Sequence, residues 1–575
     1  MDTSSDDKTM SRSSSGHTPD SENQGVLYIQ AEGDSPGADH PSSVSISYTD
    51  SSNQPVVRRA TVGKKFGLKA RGKFRDLVFT RNFSAFDPQN EAAANSPFYG
   101  FYTLFWLAVS LFILKTAAKN WRMYGNPLGT NEIMRSMFSR DVFALLFFDG
   151  FMCALTIVTW LLQKLVFLDY LDWNTSGWIL QNLWQTLFIG GFVGLTIARD
   201  WPWSHTVFFV LHGLVLLMKQ HSYAFYNGHL STAYKLRKLV QSTLAELERN
   251  IACGNSWSTY STAFSAAPNG QPNNSTTRVA NSRHSFVSDN SLAEETPIDE
   301  IIAAINSHEP LSPTKAAVYK IALEDEISQL TKELVRNTTV PKRDYPNNLT
   351  LSNLCEYLVF PTVVYELEYP RSESIRWRYL MVKSAALVGV LFVMNMVSQT
   401  FIYPVVVKAI AMKDEGMPLN QRLQEFPWML SDLIFPFMME YLLTWYLIWE
   451  TILNVLAELT RFADRSFYDA WWNSVSWDQF ARDWNKPVHN FLLRHVYHSS
   501  ISFMKVDKHT ATLITFFLSA CIHEMIMWCL FKKLRGYLLV LQMCQLPSYE
   551  VAKESKNSWK YLFLVWSLHW AEPPL

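Results

Sequence analysis

The chain has no excess charge of either sign, little cysteine and neither a zinc-binding H-E-x-x-H nor a triad-like arrangement of nucleophiles. Basic and acidic residues number 51 each among 575. The six cysteines, Cys153, Cys253, Cys355, Cys521, Cys529 and Cys544, form neither a C-x-x-C pair nor a secreted-type disulfide framework. Four of the six lie in or beside apolar stretches, where a thiol is usually inert filler. No signal peptide is recognisable, which leaves targeting to the first membrane helix. The segment His523–Met527 misses the zinc motif H-E-x-x-H because Met527 stands at the second His position. No Cys or Ser shows a triad-like arrangement, and no metal ligand set is expected.

What is present divides into a polar tail and a hydrophobic body. Residues 1 to about 56 are rich in Ser, Asp, Gly and Pro, too poor in large apolar side chains to offset chain entropy, and are expected to be disordered. Between Arg58 and Arg81 nine Lys or Arg face one Asp, interleaved with Val, Phe and Leu. Next to a membrane domain this reads as a cytosolic, headgroup-facing stretch. A nucleic-acid patch is the rival reading, set aside because of the adjacent spans. Residues 1–95 are thus taken as a disordered, partly basic cytosolic region.

Apolar runs of spanning or near-spanning length follow: Phe98–Leu114, Val142–Phe167, Trp178–Ala198, Thr206–Met218, Tyr379–Val407, Trp428–Leu456 and Thr510–Phe531. Tyr537–Leu546 and Tyr561–Trp570 are shorter. Several runs begin or end in Trp or Tyr, as interfacial anchors do. The fold expected is an all-α, polytopic transmembrane helical bundle of about 8–9 spans. The first membrane helices occupy 96–219, a polar loop 220–377, and a transmembrane core 378–547. Within the loop, Gly254–Ser291 is a Ser/Asn-rich insertion. Ile301, Ile302, Ile305 and then Ile321, Leu323, Ile327, Leu330 and Leu334 carry the spacing of amphipathic helices. A further short segment, Arg494–Phe503, holds Arg494, His495 and His498 and is too polar to face lipid, which suits an interfacial or cavity-lining helix.

His523 sits near the middle of Thr510–Phe531, with Ser519 one helical turn earlier on the same face. An ionisable group inside the membrane is costly and marks a candidate site; the alternative is a His bonded across to a neighbouring helix. Arg376, Trp377 and Arg378, just before a membrane run, read as interfacial anchors.

These residues carry a resemblance. Phe467–Asn473, then Trp484-Asn485, then His523 within a later apolar helix is similar to the signature of membrane-bound O-acyltransferases, in the branch holding sterol and diacylglycerol O-acyltransferases. The F-Y-x-D-W-W-N-like motif is Phe467, Tyr468, Asp469, Trp471, Trp472 and Asn473; its Asp falls on Ala470, while Asp469 occupies the variable place. Either Asp469 takes over or that carboxylate is structural, and we favour the structural role. Phe360-Pro361-Thr362 with Tyr365 resembles both branches. His221-Ser222-Tyr223 with Asn227-Gly228 looks more like the sterol branch of fungal type.

The resemblance implies an endoplasmic-reticulum enzyme, multi-pass, that transfers a long-chain fatty acyl group from acyl-CoA to the 3-hydroxyl of an ergosterol-type sterol. His523 is then the general base and Asn485 lies near the reacting carbonyl. Arg482, His489, Tyr497, Lys508 and Ser519 are the acyl-CoA contacts. Arg and Lys suit phosphates, and hydroxyl groups suit the pantetheine arm. Acyl-CoA is a co-substrate and no cofactor is expected to stay bound. The partners expected are fatty acyl-CoA, a sterol and membrane lipid; since related enzymes are dimers or tetramers, a homo-oligomer is expected too. The alternatives are a diacylglycerol O-acyltransferase of the same family and a transporter relaying protons through His523. A transporter predicts further intramembrane charges, and the runs offer few besides Asp149, Glu440 and Glu450. Past Cys544–Pro547 the chain departs from the resemblance, and 548–575 reads as an atypical tail from an altered reading frame or splice model.

Overall fold

The computed structural model describes residues 29–30, 43–49, 55–61, 77, 79–87, 90, 99–127, 129, 132–133, 135, 141–252, 298–307, 311, 313–336 and 343–544. It divides into two compact units, 1–69 with 243–326, and 70–242 with 327–575.

The first unit holds a small antiparallel sheet of β1 (Ile29–Gln30), β2 (Ser43–Thr49) and β3 (Pro55–Thr61), in that order. Val44 pairs with Ala60, Ile46 with Arg58 and Tyr48 with Val56. These strands lie in the tail that composition assigned to disorder. The apolar alternation of Val44, Ile46 and Tyr48 has the period of a strand, which the abundance of Ser masks.

The helices, in chain order, begin with α1 (Tyr99–Tyr124), α2 (Val142–Leu155), α3 (Ile157–Phe167), α4 (Trp178–Ala198) and α5 (Trp203–Ala252). Next come α6 (Ile298–Asn306), α7 (Pro313–Val335), α8 (Leu351–Val359), α9 (Trp377–Val397) and α10 (Tyr403–Asp414). They end with α11 (Leu419–Trp445), α12 (Leu453–Leu459), α13 (Trp477–Asp483), α14 (Lys486–Phe491), α15 (His498–Phe503), α16 (Lys508–Phe531) and α17 (Tyr537–Met543). The bundle is all-α.

Among the described residues five helical stretches are long and apolar enough to cross a bilayer: Gly100–Tyr124, Val142–Phe167, Trp377–Asp414, Leu419–Leu459 and Lys508–Phe531. The eight or nine expected from hydropathy are not all of this kind. The run Thr206–Met218 continues into the 50-residue α5. Tyr537–Leu546 yields the 7-residue α17, and Tyr561–Trp570 lies outside the described residues, as does the tail 548–575. In α4 the apolar run is broken by Gln181 and Gln185, both buried. Gln181 Nε2 donates to Thr159 Oγ1 at 3.2 Å, so its polarity faces protein rather than lipid.

Two buried carboxylates hold the second unit together. Glu450, in a π-helical stretch Tyr446–Ile452, is fully buried. It pairs with Lys383 of α9, accepts from Ser84 Oγ, and accepts from Tyr468 OH at 2.7 Å. Glu458 of α12 pairs with Arg376 at 3.1 Å and Arg465 at 2.5 Å. Arg376 therefore serves as an internal lock, also 3.3 Å from Asp87, rather than as the surface anchor its position beside Trp377 suggested.

Residues 79–87, counted above with the disordered region, are built into this unit. Asn82 N donates to Ala463 O at 3.1 Å, and Arg465 N donates to Asn82 O at 3.0 Å. Phe86 stacks on Tyr102 with ring centroids 4.9 Å apart. Backbone pairing and aromatic burial there outweigh a locally polar composition.

Candidate active site

The helix α16 starts where Asp507 accepts hydrogen bonds from His509 N at 2.9 Å and Thr510 N at 3.2 Å. This is a side-chain N-cap satisfying two of the orphan donors. Bonded to Thr510 and these amides, the Asp507 carboxyl is held below its usual range. Four turns on, His523 Nδ1–H donates to the Ser519 carbonyl at 2.8 Å. That bond assigns the proton to Nδ1 and leaves Nε2 as the basic nitrogen. Gln542 Nε2 of α17 donates to Ser519 Oγ at 3.1 Å, fixing the other polar group on this face.

The neighbouring Glu524 is buried and points elsewhere. It accepts from Arg535 N at 3.1 Å and Gly536 N at 2.6 Å, tying down the turn that leads into α17. Its role is structural, as its place one residue from His523 on a helix implies.

Asn485 is the N-cap of α14: its Oδ1 accepts from Val488 N at 3.3 Å. With the oxygen so used, the carboxamide orientation is set and Nδ2 is the end left to donate. The preceding motif frames it. Lys486 N donates to Phe467 O at 3.0 Å, and Asp469 N donates to Asp483 O at 2.8 Å. Lys486 Nζ reaches Asp469 Oδ2 at 2.9 Å and Ser466 Oγ at 2.6 Å.

Phe467 and Tyr468 are core residues. Trp471 packs edge-on to Trp445 at 5.2 Å, and Trp472 stacks on Phe86 at 5.7 Å. Trp471–Asn473 form a single 3-10 turn. None of the six motif residues lines the cavity described next, so the motif acts as a brace for the Asn485 turn.

A cavity of about 3450 Å³ runs through the second unit. His523, Asn485, Arg482, His489, Tyr497, Lys508 and Ser519 all lie on its wall. Seven residues spread over α13 to α16 are thereby brought to one space. Apolar side chains of α5, α12 and α16, such as Leu214, Leu456 and Ile522, make up much of the remaining lining.

The same cavity collects residues whose connection the sequence did not reveal. His221 and His495 both line it, with ring centroids 5.3 Å apart. Tyr365 N donates to Ser222 Oγ at 2.8 Å, and that hydroxyl lies 2.8 Å from His495 Nε2. The serine, having accepted from the amide, donates to the imidazole. Burial first, then His221 and Arg494, hold His495 well below the usual histidine range, so it is neutral. The adjacent Arg494 is fully buried and donates to Glu366 Oε1 at 2.7 Å and to Tyr365 O at 3.2 Å. Thus Arg494, His495 and Ser500 of the short polar segment face the interior, while Phe503 at its end is exposed. The two histidines were visible one by one, but no spacing rule joins positions 222 and 495.

Comparison with known proteins gives the arrangement its context. Residues 325–568 match the model of the MBOAT, membrane-bound O-acyltransferase family, a match reaching past Pro547. The chain is 35% identical over 503 residues to Sterol O-acyltransferase 2 of Candida albicans, covering 86% of this chain and 76% of that protein. It is 34% identical over 455 residues to Sterol O-acyltransferase 2 of Saccharomyces cerevisiae, covering 79% of this chain and 61% of that protein. A Diacylglycerol O-acyltransferase 1 of Corylus americana is 30% identical over 240 residues, 41% of this chain and 43% of its own. The identities, the matched domain and the helical bundle agree: the chain is an acyltransferase of the membrane-bound O-acyltransferase family.

Proposed function

We propose that this protein esterifies the 3-hydroxyl of an ergosterol-type sterol with a long-chain fatty acyl group taken from acyl-CoA, in the endoplasmic-reticulum membrane. The observation that carries this reading is one cavity holding His523, Asn485 and five further polar residues suited to acyl-CoA. Its volume and apolar lining suit two hydrophobic substrates together. The similarity to sterol O-acyltransferases extends over most of the chain, whereas that to a diacylglycerol enzyme covers less than half.

The thioester is already activated, so the protein's task is positioning and proton transfer. Nε2 of His523 removes the sterol hydroxyl proton as the oxygen attacks the thioester carbonyl. A C–O bond forms, the C–S bond breaks, and the proton passes from the imidazolium to the departing coenzyme A thiolate. Asn485 Nδ2 donates to the carbonyl oxygen while it carries developing negative charge. Arg482 and Lys508 bind phosphate groups, and His489, Tyr497 and Ser519 bind the rest of coenzyme A and its arm. Apolar walls exclude water, which would otherwise hydrolyse the thioester.

The test uses microsomes from cells lacking endogenous neutral-lipid acyltransferases, supplied with labelled oleoyl-CoA and either ergosterol or diacylglycerol. Steryl ester is expected, reduced by about 10²–10⁴-fold in His523→Ala. Triacylglycerol in its place transfers the protein to the sister activity. If a well-expressed protein forms neither product, the proposal is overturned.

A further inference from the structure

The transmembrane helix α2 carries a group that the acyl-transfer reading leaves unused. Asp149 and Cys153 stand one turn apart on the same face of α2. His212, from α5, meets them: its Nδ1 lies 2.6 Å from Asp149 Oδ1. One ligand atom from each of the three residues lies within 4.8 Å of the other two, and all three residues are half-buried. His212 also belongs to the cavity wall, which gives a small ion a route to the cluster.

We propose that Asp149, Cys153 and His212 form a binding site for a borderline-soft divalent transition metal of the zinc class. The chemistry is that of the donor set. One sulfur, one imidazole nitrogen and one carboxylate oxygen are ligands such a cation accepts, and three protein ligands leave a fourth position for water or a substrate atom. The charge count favours it at this depth. A thiolate and a carboxylate cancel the 2+ charge while imidazole adds none, so the filled site is neutral where an uncompensated charge is expensive.

On binding, the Cys153 thiol releases its proton to water and the sulfur takes its place on the metal. Any proton shared by Asp149 and His212 is released likewise. Ligand atoms around a tetrahedral zinc sit roughly 3.5 Å apart, so the widest pair closes by at most about 1 Å while Asp149 Oδ1 and His212 Nδ1, now 2.6 Å apart, open by about the same. No metal was expected from sequence, because the spacing 149, 153 and 212 fits no zinc signature and the third donor comes from another helix.

The experiment uses the full-length chain purified in detergent, stripped with chelator and titrated with Zn²⁺ and, separately, with Co²⁺. Metal content and the visible and near-ultraviolet spectra are read. One equivalent of Zn²⁺ per chain is expected, and a cobalt form showing tetrahedral d–d bands with a thiolate-to-metal charge-transfer band. Cys153→Ala and His212→Ala are each expected to weaken binding by about 10-fold or more. Cys153→Ala also removes the charge-transfer band, and Cys355→Ser, at an exposed cysteine, leaves both readouts unchanged.

Asp149→Asn keeps a hydrogen-bonding group toward His212 and preserves the fold while removing one negative charge. Its weaker binding, with an unaltered gel-filtration profile, separates ligation from misfolding. The proposal is overturned if the wild type takes up no stoichiometric metal. It is equally overturned if binding and the charge-transfer band persist in Cys153→Ala.

Discussion

His495 Nε2 lies 2.8 Å from Ser222 Oγ, although 273 positions separate the two residues in the chain. That hydroxyl also receives Tyr365 N–H, so one serine satisfies two buried groups. Ser222→Ala removes the acceptor of the buried Tyr365 N–H and the hydroxyl beside His495 Nε2, and is expected to cost about 1–3 kcal/mol. Ser222→Thr, which keeps the hydroxyl, is expected to recover most of that. Thermal unfolding of the detergent-solubilised protein measures both, and an Ser222→Ala variant as stable as wild type would count against the arrangement.

The neutral state of His495 has a pH consequence. Its folded pKa is depressed by burial, whereas the unfolded chain titrates near the ordinary histidine value of about 6.5. Below that value the unfolded state binds the extra proton and the folded state does not, so stability falls as pH drops through about 6.5 and below. Above it the contribution is flat. His495→Gln is expected to flatten the slope between roughly pH 6.5 and 5 in melting curves. An unchanged slope would assign the titration to another group.

Asn485 both caps α14 and presents Nδ2. Asn485→Asp keeps a capping oxygen of comparable quality but removes the amide donor. The expected outcome is kcat lowered by about 10²–10³-fold with melting temperature nearly unchanged. A large fall in stability with normal turnover per folded molecule would show the cap, not the donor, to be what matters.

Lys383 and Glu450 test the polar core. Lys383→Met strands a fully buried carboxylate and is expected to destabilise by roughly 3–5 kcal/mol. Adding Glu450→Gln removes the stranded charge and is expected to recover part of the loss, as a double-mutant cycle by chemical denaturation would reveal.

The ion pair of Asp469 with Lys486 is about half exposed on the carboxylate side, so its contribution is small. Asp469→Asn is expected to cost under about 1 kcal/mol and to leave turnover within a few-fold of wild type. Ala470→Asp, which places the carboxylate where the motif has it, is expected to be similarly mild. A collapse of activity in Asp469→Asn would make that carboxylate catalytic after all.

Where sequence was informative, the signal was local. His523 stands out because an imidazole within an apolar run is rare, and Ser519 shares its face at helical spacing. Asn485 and the residues proposed to contact acyl-CoA were legible only through the resemblance, since each alone is an ordinary interfacial residue. Glu450 read as one stray charge in a run; its partner Lys383 is 67 positions away, and nothing in either stretch announces the pairing. Arg376 misled for a related reason: beside Trp377 it has the pattern of an anchor, while Glu458 approaches from another helix. The sheet was hidden by composition, the Ser content of β2 outweighing an alternation only seven residues long.

Glu524 ties the turn after α16 back onto that helix. Through it α17 hangs from the helix that bears His523, and Gln542 of α17 holds the serine to whose carbonyl that imidazole is bonded. The alignment of His523 is consequently coupled to the turn at Arg535 and Gly536 that leads into α17.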